Sequence, residues 1–162
     1  MKTLFLVRHA KSSRDDTKLL DKDRPLNDRG KRDAPKMGKR LAKRDVKPEL
    51  ILSSPAMRAL ATAEIMAREL DYNRKKIVVD NRLYPGDADK MLTIIHKLDD
   101  ALQRVMLFGH NPALTDLAHR LSSDIVHMPT CAVAKFKFRS KSWSSVGKSK
   151  LAKLALDYPR KA

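Results

Sequence analysis

Arg8-His9 stands directly after the apolar run Leu4-Phe5-Leu6-Val7. That run is short and built of large apolar residues, which reads as a buried strand. In open α/β sheets, ligands bind at the carboxyl ends of strands. A histidine there can serve as base or nucleophile near neutral pH, and the arginine beside it is suited to clamp a phosphate. About a hundred residues on, Val105-Met106-Leu107-Phe108 is followed by Gly109-His110-Asn111-Pro112. Asn111 suits a helix N-cap and Pro112 the first helical position, so His110 is expected at a strand end just ahead of a helix. Leu50-Ile51-Leu52 has the same form. It leads into Ser53-Ser54-Pro55, with Ser54 as expected cap and Arg58 in or beside the first helical turn, where backbone N–H groups favour an anion. If these strands are parallel neighbours, Arg8, His9, Arg58 and His110 converge on one pocket. Two arginines and two histidines beside a helix N-terminus suit a phosphoryl group.

The elements that would position these residues alternate along the chain. A polar, charged stretch at 11–25 reads as a loop after the first strand. Asn27 is placed to cap a helix whose apolar face is Ala34, Met37, Leu41 and Ala42. Pro35 either kinks that helix or marks its true start. Strand 50–53 leads to a helix near 56–70 with Ala59, Ala63, Met66 and Leu70 on one face. Ile77-Val78-Val79 is a short β-branched strand. A helix near 88–98 carries Met91, Ile94, Ile95 and Leu98, with Asp87 as a candidate cap. Strand 105–108 leads to a helix near 112–121 with Leu114, Leu117, Ala118 and Leu121. Residues 133–138 alternate as a half-exposed strand does, and 151–156 supply an antiparallel mate. The fold expected is α/β, three layers (α/β/α) around a mainly parallel mixed sheet, as one domain over 1–162.

Composition narrows the function classes. The chain has 162 residues, 42% hydrophobic and 33% charged, as in a soluble globular protein. The single cysteine, Cys131, excludes an intramolecular disulfide and is read as a small core residue. The first apolar run is too short for a signal-peptide core, and no stretch is long enough to span a membrane, so a cytoplasmic location is expected. The net charge of +16 attracts anions, whether nucleic acid, phosphoprotein or phosphometabolite, and does not discriminate among them. Aromatic residues are not interleaved with the basic run at 31–44, which argues against a nucleic-acid surface. Gly147-Lys148-Ser149 resembles the end of a phosphate-binding loop, but Ser142 stands where its first glycine belongs and a strand follows instead of a helix. His96 is read as structural or surface, and His119 and His127 have no metal-ligand spacing with His9 or His110, so no metal and no cofactor are expected.

Leu6-Val7-Arg8-His9-Ala10-Lys11-Ser12 resembles the opening motif of the histidine phosphatase superfamily, the phosphoglycerate-mutase-like fold. Most members have Arg-His-Gly, whereas this chain has Ala10. Arg-His-Ala resembles a variant of the small members close to the SixA-type phosphohistidine phosphatases. Further likenesses follow in order: Arg24-Pro25-Leu26-Asn27-Asp28-Arg29-Gly30, then Leu52 to Ala63 around Arg58, then Phe108-Gly109-His110-Asn111-Pro112, and finally Met128-Pro129-Thr130-Cys131-Ala132, where glycine is usual at the position of Cys131.

The resemblance implies that His9 attacks phosphorus in line and forms a phosphohistidine intermediate. It implies that Arg8, Arg58 and His110 bind and stabilise the transferring group, and that water then releases phosphate without a metal. Many members place a glutamate proton donor after the middle strand. Here the stretch is Leu83-Tyr84-Pro85-Gly86-Asp87, in which Asp87 is a possible proton donor or simply a helix cap. Lack of that glutamate leans toward a labile phosphoramidate such as protein phosphohistidine, on a histidine-containing phosphotransfer domain for example. A small phosphorylated metabolite as substrate, or a noncatalytic basic pocket that docks acidic partners, are the alternatives.

Overall fold

The computed structural model describes residues 1–161. Six strands form one sheet in the order β3-β2-β4-β1-β5-β6. They are β1 (Lys2–Arg8), β2 (Leu50–Ser53), β3 (Val78–Val79), β4 (Arg104–Gly109), β5 (Val133–Phe138) and β6 (Leu151–Asp157). The first four in that order pair in parallel, whereas β5 runs antiparallel to β1 and β6 antiparallel to β5. The sheet is therefore mixed, as the alternation of elements predicts.

Four helices cover it: α1 (Asp28–Lys43), α2 (Met57–Glu69), α3 (Ala88–His96) and α4 (Ala113–Leu121). Strand side chains alternate between faces, so each central strand feeds two cores. Phe5, Val7, Met106 and Phe108 pack with Met37, Leu41 and Met66 of α1 and α2. Leu4, Leu6, Val105 and Leu107 pack with Ile95, Leu114 and Leu117 of α3 and α4. Burial on both faces explains why β1 and β4 are continuous apolar runs. On β5 and β6 the first face is only partly covered, and there the sequence alternates: Phe136 and Phe138 are buried while Lys135 and Lys137 are half-exposed.

Helix α1 starts at Asp28 with Asn27 capping it through Gly30 N at 2.9 Å. Pro35 neither starts it nor ends it: the helix runs through that position. The residue costs the bond its N–H would make to the carbonyl four residues back. Gly38 lets α1 lie against α2, since a Cβ there would sit 2.9 Å from Cβ of Glu69. Two helix starts differ from the sequence expectation. Helix α2 begins at Met57 with Ala56 in the cap position, because Ser54 is still in the strand ladder, its N–H donating to Phe108 O at 3.0 Å. Helix α4 begins at Ala113 after Pro112, and Asn111 reaches in from one residue earlier, accepting from Thr115 N at 3.1 Å.

The chain crosses from β1 over β4 to β2, and later from β4 back over β1 to β5. Connections thus diverge to opposite sides at the β1/β4 boundary, where an α/β sheet opens a crevice at its carboxyl edge. His9 and His110 both follow the last residues of these two strands.

Candidate active site

The backbone of His9 is fixed from both sides. Its N–H donates to Gly109 O at 3.2 Å, and its carbonyl accepts from Cys131 N at 3.0 Å. Cys131 has φ of 63°, a left-handed conformation for which glycine is the natural residue. That accounts for the glycine usual at this position. Its thiol is fully buried and pushed up to about 12, chiefly by burial, so it stays protonated.

Helix α2 is tied to the same strand end through Thr62. Its hydroxyl accepts from Ala10 N at 3.0 Å and donates to Arg58 O at 2.7 Å. The arginine is thereby brought to the end of β1. Ala10 is itself completely buried.

The four side chains read from the sequence meet in one cavity of about 220 Å³, lined by Arg8, His9, Arg58 and His110 together with Asp21 and Arg24. Larger hollows of about 450 and 470 Å³ lie elsewhere and contain no histidine, so chemistry rather than size singles out the small one. The His9 and His110 rings lie 5.2 Å apart between centroids. Nδ1 of His9 lies 2.8 Å from Ala10 O, which fixes the proton on Nδ1 and leaves the Nε2 lone pair free. Burial, outweighing the hydrogen bond to Ala10 and reinforced by His110, Arg58 and Arg8, lowers this histidine to about 3. It is therefore neutral at neutral pH, as a nucleophile must be.

His110 is lowered to about 4, again mainly by burial and then by Arg58. Its Nε2 lies 2.7 Å from Ser54 Oγ, which also accepts from Ala56 N at 3.1 Å. With Ser54 donating to Nε2, the His110 proton sits on Nδ1, a buried atom with no partner among the described residues. Arg8 and Arg58 each have a buried Nε in the same condition. Buried donors without acceptors are costly, and an oxyanion in the cavity would supply acceptors.

The structure separates Asp87 from this group. Its exposed carboxylate accepts from Lys90 N at 2.8 Å as the cap of α3, and it does not line the cavity. Of the two roles read for it from the sequence, the bond to Lys90 N is the capping one. His96 and His119 bond to the carbonyls of Val146 (2.7 Å) and Ile125 (2.9 Å), respectively, and serve packing.

Sequence reasoning missed Asp21, Arg24 and Tyr84. The Asp21 carboxylate accepts from Arg58 Nη2 (3.0 Å), Arg24 Nε (3.0 Å) and the Tyr84 hydroxyl (2.7 Å). The Tyr84 bond, then those from Arg58 and Arg24, hold it well below the usual carboxylate range. The segment carrying it is pinned by an isolated bridge between Ser12 and Leu26 and by Gly30, where a Cβ would come within 2.1 Å of Lys11 O. Only the Asp21-to-Arg24 spacing within one tight turn hinted at this pairing.

The two depressed histidines set a pH dependence. Their folded-state values lie below the ordinary value, so between about pH 6.5 and pH 4 the unfolded chain takes up protons that the folded chain does not. Stability is fully present above that window and falls on acidification. Near pH 5 the difference approaches two protons, or roughly 2–3 kcal/mol per pH unit. Chemical denaturation between pH 7.5 and pH 5 should show this slope, and the double variant His9→Ala/His110→Ala should flatten it. An unchanged slope in the double variant would mean that these rings are not buried as described.

A family model described as the histidine phosphatase superfamily (branch 1) matches residues 4–91. An uncharacterised chloroplastic protein of Arabidopsis thaliana is 32% identical over 148 residues, covering 86% of this chain and 68% of that protein. The structure assigned as phosphohistidine phosphatase SixA of Agrobacterium tumefaciens superposes with a TM-score of 0.80 at 26% identity, covering 95% and 97% of the two chains. A protein histidine phosphatase SixA complexed with tungstate superposes with a TM-score of 0.79 at 24% identity, covering 94% and 95%.

Proposed function

Since the chain belongs to the histidine phosphatase superfamily, we propose that it is a metal-independent phosphatase that works through a phosphohistidine intermediate on His9 and acts on protein phosphohistidine. The observation that carries this reading is the state of His9: neutral, Nδ1 tied to Ala10 O, Nε2 free, in a cavity shared with Arg8, Arg58 and His110. Nε2 attacks phosphorus as the bond to the leaving group breaks. Arg8 and Arg58 take the equatorial oxygens, and Nδ1–H of His110 donates to one of them, so charge is neutralised by groups already in place. Water then attacks the phosphorylated His9 in line, and phosphate departs.

Substrate preference follows from what surrounds the phosphoryl site. No carboxylic acid is available in the cavity, since Asp87 is a cap and Asp21 is held ionised. An alkoxide leaving group needs a proton, while a phosphoramidate leaves more readily. The likeness to solved SixA structures, one of them holding an oxyanion, supports the same substrate class. The basic surface, +16 overall, favours an acidic phosphoprotein such as a histidine-containing phosphotransfer domain.

The test is a comparison of a phosphorylated phosphotransfer domain with alkyl and sugar phosphomonoesters, in the presence of a chelator. Phosphohistidine should turn over faster, and its turnover should fall with added salt as screening shortens to about 8 Å at physiological ionic strength. Rapid hydrolysis of a small sugar phosphate with phosphohistidine left untouched would instead make the protein a phosphometabolite phosphatase using the same cavity.

A further inference from the structure

Asp21 is the one acidic side chain lining the phosphate cavity, among the described residues. An anion facing an anion-binding site works against binding unless it does something else. Its bonds leave room for that. A carboxylate offers about four acceptor positions. Oδ2 accepts from Arg58 Nη2 and the Tyr84 hydroxyl, and Oδ1 accepts only from Arg24 Nε. The backbone carbonyl, not the carboxylate, takes Arg58 Nη1 at 2.7 Å. One position on Oδ1 is therefore open, and the side chain is 52% exposed, so an incoming group can reach it. The guanidinium that would hold the phosphoryl group thus also holds a carboxylate with an unused acceptor next to it.

We propose that Asp21 recognises the leaving group: its carboxylate accepts the distal ring N–H of a phosphorylated imidazole and so selects phosphoramidates with a protonated ring over phosphomonoesters. This rests on the reading of the cavity as a phosphohistidine phosphatase site, and it assigns the residue that makes the choice. The chemistry balances without an acid. The Nε2 lone pair of His9 forms the new N–P bond, and the bond from phosphorus to the substrate ring nitrogen breaks with its electron pair remaining on that nitrogen. The proton already on the distal nitrogen stays there, so the leaving group departs as neutral imidazole. Only the distally protonated substrate can leave in this way, and a carboxylate accepting from that N–H raises its population. A low carboxylate pKa, unsuitable for a proton donor, is what this role requires. An alkyl phosphate offers Asp21 no N–H, and an acidic leaving group is repelled by it.

The groups facing Asp21 are Arg58 from α2, Arg24 from its own turn and Tyr84 from the segment before α3. Arg8, His9, His110, Lys11 and Arg14 lie around the rest of the cavity. All are shared by wild type and Asp21→Asn, so the difference between the two isolates the carboxylate.

The experiment measures kcat/KM of wild type, Asp21→Asn and Asp21→Glu on N-phosphorylated imidazole and on p-nitrophenyl phosphate, each across pH 5.5–9. Loss of one charge-assisted acceptor should lower turnover of the phosphoramidate about ten- to a hundredfold in Asp21→Asn. Turnover of p-nitrophenyl phosphate should fall less, because that substrate offers Asp21 no N–H and loses only the support the carboxylate gives Arg58. The alkaline limb for the phosphoramidate should move down by about one pH unit in Asp21→Asn, and Asp21→Glu should recover part of both effects. Equal losses on the two substrates would overturn the proposal, since Asp21 would then only hold Arg58 and Arg24 in position. An unmoved alkaline limb would overturn it as well. Failure of wild type on the phosphoramidate, with p-nitrophenyl phosphate still cleaved, removes the proposed substrate class and this role with it. That outcome is recognisable without any variant.

Discussion

His9→Ala should abolish turnover and leave no phosphoenzyme. Among the described residues, the side chain supplies the one lone-pair ring nitrogen in the cavity that accepts no hydrogen bond: Nε2 of His110 is taken by Ser54, whereas only Nδ1 of His9 is tied. Removing a nucleophile in comparable covalent mechanisms costs about six decades in kcat, and other groups do not compensate. Brief mixing with labelled substrate followed by an alkaline quench should leave acid-labile label on wild type and none on the variant. His9→Ala should nevertheless fold, because His9 holds its place through backbone bonds to Gly109 and Cys131 that alanine keeps. It should also lose less stability on acidification, since one depressed histidine is gone. These outcomes are independent, so an inactive variant can be told from an unfolded one. Full activity in a folded His9→Ala protein, or stable label on it, would place the nucleophile elsewhere.

What was legible in the sequence follows a physical divide. The strands and helices with a buried face were readable because burial leaves a period. Leu4 to Val7 and Val105 to Phe108 are buried on both faces and are uninterrupted, while Met91, Ile94 and Ile95 recur at helical spacing. The four cavity residues were readable for the same reason, since Arg8 ends a buried strand, His9 and His110 follow two buried strands at once, and Arg58 lies in the first turn of the helix that follows another. Exact helix starts were less legible. Ser54 has good capping chemistry, but its N–H belongs to the β2–β4 ladder and its hydroxyl to His110, so tertiary bonds outcompete the local cap. Asp21 was legible only through its spacing to Arg24. It lies in a polar loop with no period, and its three donors come from its own turn, from α2 and from a segment 63 positions on. A carboxylate defined mainly by long-range partners leaves little local mark. Asp87, by contrast, was visible because capping is local, and local bonding is also what occupies it.

Arg8→Ala and Arg58→Ala should each lower kcat/KM by about two to three decades, from the loss of one preorganised charged donor worth about 2.7–4 kcal/mol in the transition state. The two losses should differ in kind. Arg8 is held by Met128 O through Nη1 at 3.0 Å and has no acidic partner among the described residues, so its charge is directed wholly at the cavity. Its removal should act on the phosphoryl group alone. Arg58 is shared between the cavity and Asp21, so Arg58→Ala also releases the Asp21 carboxylate from one of its three donors. The freed carboxylate repels an incoming phosphoryl group, and inorganic phosphate inhibition should weaken more in Arg58→Ala than in Arg8→Ala. Adding Asp21→Asn to Arg58→Ala should therefore recover part of the phosphate affinity, whereas added to Arg8→Ala it should recover less, a non-additivity expected of residues in direct contact. Arg58→Lys keeps the charge but not the planar fork that spans Asp21 and a phosphoryl oxygen together, so it should restore binding better than rate. Losses below tenfold for both alanine variants would mean that the phosphoryl group is held by other residues, and equal behaviour of the two double variants would mean that Arg58 and Asp21 act separately.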